Sequence, residues 1–216
     1  TETSGSTGTP TRFMLDRSSN VHQFAAIWRV LNWAGYRFGQ RYVDLTGYLP
    51  RNDGLWSYDL RTNCLHLSSF NFKKEHIPAH ARRLRAFRPA LIKAYPSAIA
   101  LFCRWLGELG IDDLHPPAVL TCAETLLDHQ REVVQRVLGC QVHDFYGQNE
   151  RAALISTCES NRYHIHEEYA FTELVPTESD GVASIVSTTL HSRAMRLIRY
   201  RTEDGAEPGP CVPGRG

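Results

Sequence analysis

The chain has 216 residues, 42% of them hydrophobic and 22% charged, which is the composition of a folded globular protein rather than of a disordered one. Lys plus Arg number 24 against 23 Asp plus Glu, so the chain lacks the basic excess of a general nucleic-acid binder. No apolar run approaches the ~20 residues of a membrane span. The first ten residues are polar, without a basic-then-apolar leader pattern. Six irregularly spaced Cys are too few for a disulfide scaffold, and most sit in apolar runs, where a free thiol behaves as a small hydrophobe. The expectation is a cytoplasmic protein with reduced thiols and no nucleic-acid partner. The opening without Met and the ending at Gly214-Arg215-Gly216 read as a piece of a longer protein.

Residues 1–10 are a Ser/Thr/Gly loop. Residues 17–34 predict a helix with Phe24, Ile27, Trp28 and Leu31 on its inward face and Gly35 as its stop. Arg41–Thr46 reads as a short strand, and residues 55–69 as a hairpin turning at Arg61-Thr62-Asn63. Residues 75–87 read as a basic amphipathic helix with Pro78 in its first turn and Ile77, Ala81 and Leu84 inward. Then come a strand (Ala90–Tyr95), a helix (Ser97–Leu109, Ser97 as N-cap), a strand (Ala118–Cys122), a helix (128–138, Asp128 as N-cap, Gly139 after it) and a strand (Gln141–Phe145). This alternation predicts an α/β fold: a mostly parallel sheet flanked by helices. Beyond residue 150 only β-like segments recur: Leu154–Thr157, Tyr169–Val175, Val182–Thr188 and Leu197–Arg201. The expected division is an α/β part over 1–150 and a β-rich lobe over 151–216.

Thr3-Ser4-Gly5-Ser6-Thr7-Gly8-Thr9-Pro10 is the strongest local signal. Glycines let backbone approach a ligand, successive N–H groups can form an anion nest, and the hydroxyls add donors for phosphate oxygens. It is not a Walker A loop, since no G-x-x-x-x-G-K-[ST] is present. No Ser-His-Asp or Cys-His pattern stands out, and Gly-Gln-Asn-Glu is not a nucleophile elbow, which argues against a hydrolase.

That loop resembles the phosphate-binding loop of the adenylate-forming superfamily, the acyl-CoA synthetases and their relatives. Three further segments resemble the family in the right order: Val119-Leu-Thr-Cys-Ala-Glu-Thr-Leu126, Asp144-Phe-Tyr-Gly-Gln-Asn-Glu-Arg151 and Met195-Arg-Leu-Ile-Arg-Tyr-Arg-Thr-Glu-Asp204. Ala94-Tyr95-Pro96-Ser97 and Tyr163-His-Ile-His-Glu-Glu-Tyr169 look most like the phenylacetate–CoA ligase branch and its CapK-like members. The resemblance covers nearly the whole chain. It implies a piece of the large N-terminal domain, with the mobile domain that carries a catalytic Lys lying outside it.

The resemblance implies a two-step ligase. ATP and a carboxylate give an acyl-adenylate, and a thiol, expected to be coenzyme A, then displaces AMP. It places Thr3, Ser4, Gly5, Ser6, Thr7 and Gly8 on phosphate, with Thr7 also catalytic. Ala123, Glu124, Tyr146 and Gly147 fall on the adenine side, Asn149 near phosphate, and Asp204 on the ribose hydroxyls. Glu150 is the implied Mg²⁺ ligand and a catalytic group. Asn149 stands where the family often has Thr, and Glu203 where it usually has Gly. Phe70, Phe72 and Tyr95 are expected at the acyl pocket. The basic run Lys73, Lys74, Arg82, Arg83, Arg85 and Arg88 could meet an acidic ligand or be a solvated helix face. Cys158, His164 and Cys211 match part of a structural zinc site of some relatives, with Pro213 in place of a further Cys and His166 or Glu168 as a candidate fourth ligand. Two other readings stand beside the ligase: a non-catalytic nucleotide-binding module or pseudoenzyme, and adenylation with a non-CoA acceptor in polysaccharide biosynthesis.

Overall fold

The computed structural model describes residues 12–48, 54–69, 72–179 and 181–209. The chain divides into two compact units. The larger comprises Arg29–Phe145 and Thr157–Arg162. The smaller is drawn from Thr1–Trp28, Tyr146–Ser156 and Tyr163–Gly216, so the N-terminal stretch falls with the C-terminal strands. The phosphate-type loop (Thr3–Gly8), Phe70 and Cys211 lie outside the described residues.

Helix α1 (Arg17–Trp33) begins after Asp16, whose Oδ1 accepts the Ser19 N–H at 2.7 Å, the bond of an N-terminal cap. Its end is the expected one: Gly35 takes φ +81° and lets Tyr36 N–H bond back to Leu31 O. The expected inward stripe does not hold, because Phe24 is 61% exposed while Val30 and Ala34 are buried. Spacing identifies a helical face but not what covers it.

The larger unit is built on strands β1 (Tyr42–Leu45), β2 (Trp56–Asp59), β3 (Cys64–Leu67), β4 (Leu91–Ala94), β5 (Ala118–Cys122) and β6 (Gln141–Gly147, whose last two residues belong to the smaller unit). Their order is β2-β3-β1-β4-β5-β6. All pair parallel except the β2–β3 hairpin, which turns through Asn63 at φ +54°. Helices α2 (Ile77–Phe87), α3 (Pro96–Glu108) and α4 (Asp128–Leu138) supply the crossovers. One sheet face, carrying Val43, Leu65, Ile92, Val119 and Val142, packs on Ile77, Leu84, Ile99, Phe102, Leu106 and Val134 of these helices. The other face is more polar: Asp44 faces His66 and Lys93 in register. Lys93 Nζ lies 3.4 Å from Asp44 Oδ2, a pairing that offsets the cost of burying the ammonium.

Two caps differ from expectation. Pro96, not Ser97, opens α3, because proline forces the preceding Tyr95 into extended backbone (ψ 138°) and is itself pre-shaped for the first turn. Leu127 rather than Asp128 is the residue before α4. Its N–H is met by Gln130 Oε1 at 3.0 Å, and Asp128 sits in the first turn, where the helix dipole favours it. Gly139 closes α4 at φ +63° as expected.

The smaller unit holds β7 (Leu154–Thr157, Thr157 counting with the larger unit), β8 (Tyr163–Ile165) beside it, and an antiparallel sheet of β9 (Ala170–Pro176), β10 (Ala183–Thr189) and β11 (Tyr200–Ala206) in the order β11-β10-β9. The sequence reading missed β8, a three-residue strand too short for alternation to register. It also placed β11 early, at Leu197–Arg201, because the exposed Glu203, Asp204 and Gly205 do not read as a strand. Ala153, Ile155 and Ile185 form this unit's core with Tyr146, Ile165, Leu174 and Ala206. Among the described residues no helix is long and apolar enough to cross a membrane.

Candidate functional site

β6 delivers Tyr146 to the smaller unit, and β11 delivers Tyr200 and Asp204. The Tyr146 hydroxyl donates to Asp204 Oδ2 at 2.6 Å. Tyr200 hydroxyl donates to Glu150 Oε1 at 3.3 Å. Each segment thus gives one tyrosine and one carboxylate to the other, across 58 and 50 residues of sequence. Burial, and then the neighbouring carboxylate, raise both phenols above their usual range, so both stay protonated donors at neutral pH. Gln148 braces the turn: its Nε2 donates to the Tyr146 hydroxyl and its Oε1 accepts the Ala153 N–H at 3.1 Å.

β11 bulges here. Ser184 faces Gly205 and Val186 faces Arg201, so Thr202, Glu203 and Asp204 share the space opposite Ile185 alone. Thr202 Oγ1 donates to Ile185 O at 3.2 Å and accepts the Asp204 N–H at 3.3 Å. Arg201 holds Ser184 Oγ through Nε and Nη2 at 3.2 and 3.0 Å. Glu203 stands at φ +64°, the left-handed region that costs an L-residue about 1–2 kcal/mol and glycine nothing. The bulge leaves Asp204 exposed, with one carboxylate oxygen fixed by Tyr146 and the other open. Glu150 is half-buried and likewise has one oxygen on Tyr200 and one open, a hard donor of the kind Mg²⁺ takes. Arg151, at φ +59°, reaches Ser19 Oγ at 3.3 Å rather than pairing with Glu150.

Within the larger unit, Ala123 takes φ +67° just past the carboxyl end of β5, and the exposed Glu124 accepts Ser97 N–H and Oγ–H, each at 3.0 Å. Glu124 therefore caps the start of α3 from another segment, which the sequence reading assigned to Ser97 itself. Thr121 Oγ1 bonds the buried Asp144, whose N–H donates to Thr157 Oγ1 at 2.8 Å.

The other expected residues take the following places. Phe72 is partly buried and packs among His80, Phe102 and Trp105 in the α2–α3 layer. Tyr95 is half-buried against the same core. The basic run is neutralised in part: Lys74 pairs with Glu108 at 2.5 Å, Lys73 with Glu75 at 3.9 Å and Arg85 grips Asp113 through two nitrogens, while Arg83 lies over Trp56 and Phe87. For zinc, His166 is unsuitable as a ligand. Its Nε2 is 2.7 Å from Ser156 Oγ and its Nδ1 3.4 Å from Glu168 Oε1, so neither ring nitrogen nor that carboxylate oxygen is open. Among the described residues no three His, Cys, Asp or Glu side chains gather as a metal site. Cys64, Cys103, Cys122, Cys140 and Cys158 are all free, and burial pushes the Cys122 and Cys140 thiols up to about 11. Gln148, Tyr200 and Thr202 were not singled out from sequence. Tyr200 lay inside the quoted Met195–Asp204 segment, but nothing in spacing showed that its hydroxyl faces Glu150.

No family model matches the sequence. The chain is 23% identical over 153 residues to Protein CapK of Staphylococcus aureus, covering 70% of this chain and 34% of that one. It is 25% identical over 230 residues to phenylacetate-coenzyme A ligase of Pseudomonas putida, covering 98% of this chain and 51% of that one. The chain thus spans about half or less of the length of these relatives. Its fold matches a 2-hydroxyisobutyryl-CoA ligase in complex with 2-HIB-AMP and CoA at TM-score 0.67 and 15% identity, over 94% of this chain and 47% of that one. It also matches a malonyl-CoA ligase bound to methylmalonyl-CoA and AMP at TM-score 0.63 and 18% identity, over 97% and 50%. By sequence the chain is similar to CapK and phenylacetate-coenzyme A ligase, and it shares the fold of these acyl-CoA ligases.

Proposed function

We propose that the protein of which this chain is part activates a carboxylate with ATP through an acyl-adenylate and passes the acyl group to coenzyme A. The supporting observation is the paired exchange Tyr146–Asp204 and Tyr200–Glu150, which gathers in one unit three residues the family resemblance assigned to nucleotide and metal. The fold relatives bound to acyl-AMP or AMP and to CoA species agree with it.

In this reading the Tyr146 ring packs on adenine, and the open oxygen of Asp204 accepts the ribose hydroxyls. The Thr3–Gly8 backbone and hydroxyls donate to phosphate. A carboxylate oxygen attacks the α-phosphorus, the bond to the β-phosphate oxygen breaks, and pyrophosphate leaves. The thiol sulfur then attacks the acyl carbon and AMP departs with the bonding pair. The carboxylate nucleophile needs no general base, so this chain's task is positioning and offsetting charge. Mg²⁺, when bound, supplies positive charge against carboxylate–triphosphate repulsion, with Glu150 as its ligand.

Carboxylate-dependent ATP–pyrophosphate exchange, measured on the complete protein across aryl and short-chain acids, tests this. Exchange with one acid class names the substrate, and silence in a folded protein that binds ATP rejects the ligase. Glu203 favours a second reading, nucleotide binding without turnover. It sets a strained backbone and an extra negative charge beside the ribose carboxylate.

A further inference from the structure

The parallel sheet of the larger unit has a second concave site, at the end opposite to Ala123 and Glu124. A cavity of about 640 Å³ opens beside the residues that enter β4 and β5, Pro89-Ala90 and Pro116-Pro117. That volume is within the range of small-molecule sites. Its floor is apolar: Leu84, Ile92, Phe102, Leu114 and Leu138. Its rim is charged. Arg85 is held by Asp113 through Nε (2.7 Å) and Nη2, which cancels one positive charge. Arg88 has no side-chain partner among the described residues, so the rim keeps one uncompensated guanidinium.

The helix ends nearby would oppose an anion if their carbonyls were open, since a helix C-terminus is negative. The last carbonyl of each is covered by the protein itself. Arg41 Nη1 donates to Phe87 O at 3.1 Å at the end of α2, and His115 Nδ1 donates to Leu138 O at 3.2 Å at the end of α4. An apolar floor, a single free guanidinium fitted to a planar carboxylate and masked carbonyls select one ligand class. We propose that this cavity binds a small apolar monocarboxylate, its hydrocarbon part on Phe102 and Leu138 and its carboxylate on Arg88, separately from the adenylation site.

The test uses 4-fluorobenzoate and its neutral amide, 4-fluorobenzamide, with the 216-residue chain, followed by fluorine NMR and by backbone amide shifts. The expected result is saturable binding of the acid below roughly 10 mM, with shifts centred on Ala90, Leu114, His115 and Gly139 and binding of the amide at least tenfold weaker. Arg88→Gln should weaken the acid tenfold or more. Arg88 has φ +49°, so Arg88→Gly removes the guanidinium while relieving backbone strain, and gives the same loss in a chain that folds at least as well. No saturable binding, shifts centred on Tyr146, Glu150 and Asp204 instead, equal binding of the amide, or no effect of either Arg88 variant overturns the proposal. None of these outcomes bears on pyrophosphate exchange.

Discussion

Tyr146 donates its phenolic hydrogen to Asp204 across 2.6 Å, tying the carboxyl end of β6 to the bulge of β11. The bond fixes one carboxylate oxygen and so aims the other. Tyr146→Phe keeps the ring that the proposed function stacks on adenine and removes only this restraint. ATP affinity should then fall about three- to tenfold, since a hydrogen bond to a charged group contributes roughly 1.5–3 kcal/mol and water recovers part of it. Asp204→Asn should cost tenfold or more. Titration of ATP into each folded variant checks this, and unchanged affinity in both removes Asp204 from the nucleotide site.

Glu150 differs from Asp204 in the kind of ligand proposed for it, and the difference can be measured. Glu150→Gln preserves size and can still meet the Tyr200 hydroxyl through its carbonyl oxygen, but it loses the negative charge that a hard cation requires. The enhancement of ATP binding by Mg²⁺ should shrink at least tenfold, while metal-free binding changes little. Asp204→Asn should weaken binding to the same extent with and without Mg²⁺. Equal Mg²⁺ enhancement in wild type and Glu150→Gln would remove the metal role.

Glu203 offers a test on stability. Its φ of +64° strains any residue with a Cβ, and its side chain is exposed, so little packing is lost on truncation. Glu203→Gly relieves about 1–2 kcal/mol of backbone strain and gives back part of it through the greater freedom of glycine in the unfolded chain. A net gain of about 0.5–1 kcal/mol is expected, seen as a higher urea midpoint with an unchanged slope. A lower midpoint would show that the side chain holds the bulge in place.

These cases show what the sequence could disclose. The parallel βα core was legible because hydrophobic period, glycine stops and proline starts all agree there: Pro96, Gly110 and Gly139 mark helix ends by backbone chemistry alone. The smaller unit was less legible. β11 carries its bulge through Glu203 and Asp204, where exposure and positive φ erase the alternation that announces a strand. The site was half legible. Glu150, Tyr146 and Asp204 follow from the resemblance, but the Tyr200–Glu150 bond joins positions 50 apart in the chain, and no local pattern encodes it. Phe72 shows the limit from the other side, since an aromatic beside a helix start reads alike whether it lines a pocket or fills a core.

His80 gives a pH dependence with a definite sign. It lies on α2, 1% exposed, with its ring against Trp56 and Phe72, and neither ring nitrogen has a hydrogen-bond partner among the described residues. His76 is the titratable group facing it, with ring centroids 6.5 Å apart. Burial, and then the charge of His76, pull its pKa from 6.5 down to about 4. The unfolded chain therefore takes up a proton near pH 6.5, which the folded chain refuses until about pH 4. Between those values the unfolded state binds more protons, so stability is full above pH 6.5 and falls steadily as pH drops toward 4. The loss amounts to roughly 3 kcal/mol over the window. His80→Phe removes the titration and fills the same space beside Trp56 and Phe72, so its urea midpoint should decline less between pH 6.5 and 4.5 than that of the wild type. Parallel declines in the two proteins would show that acid sensitivity arises elsewhere.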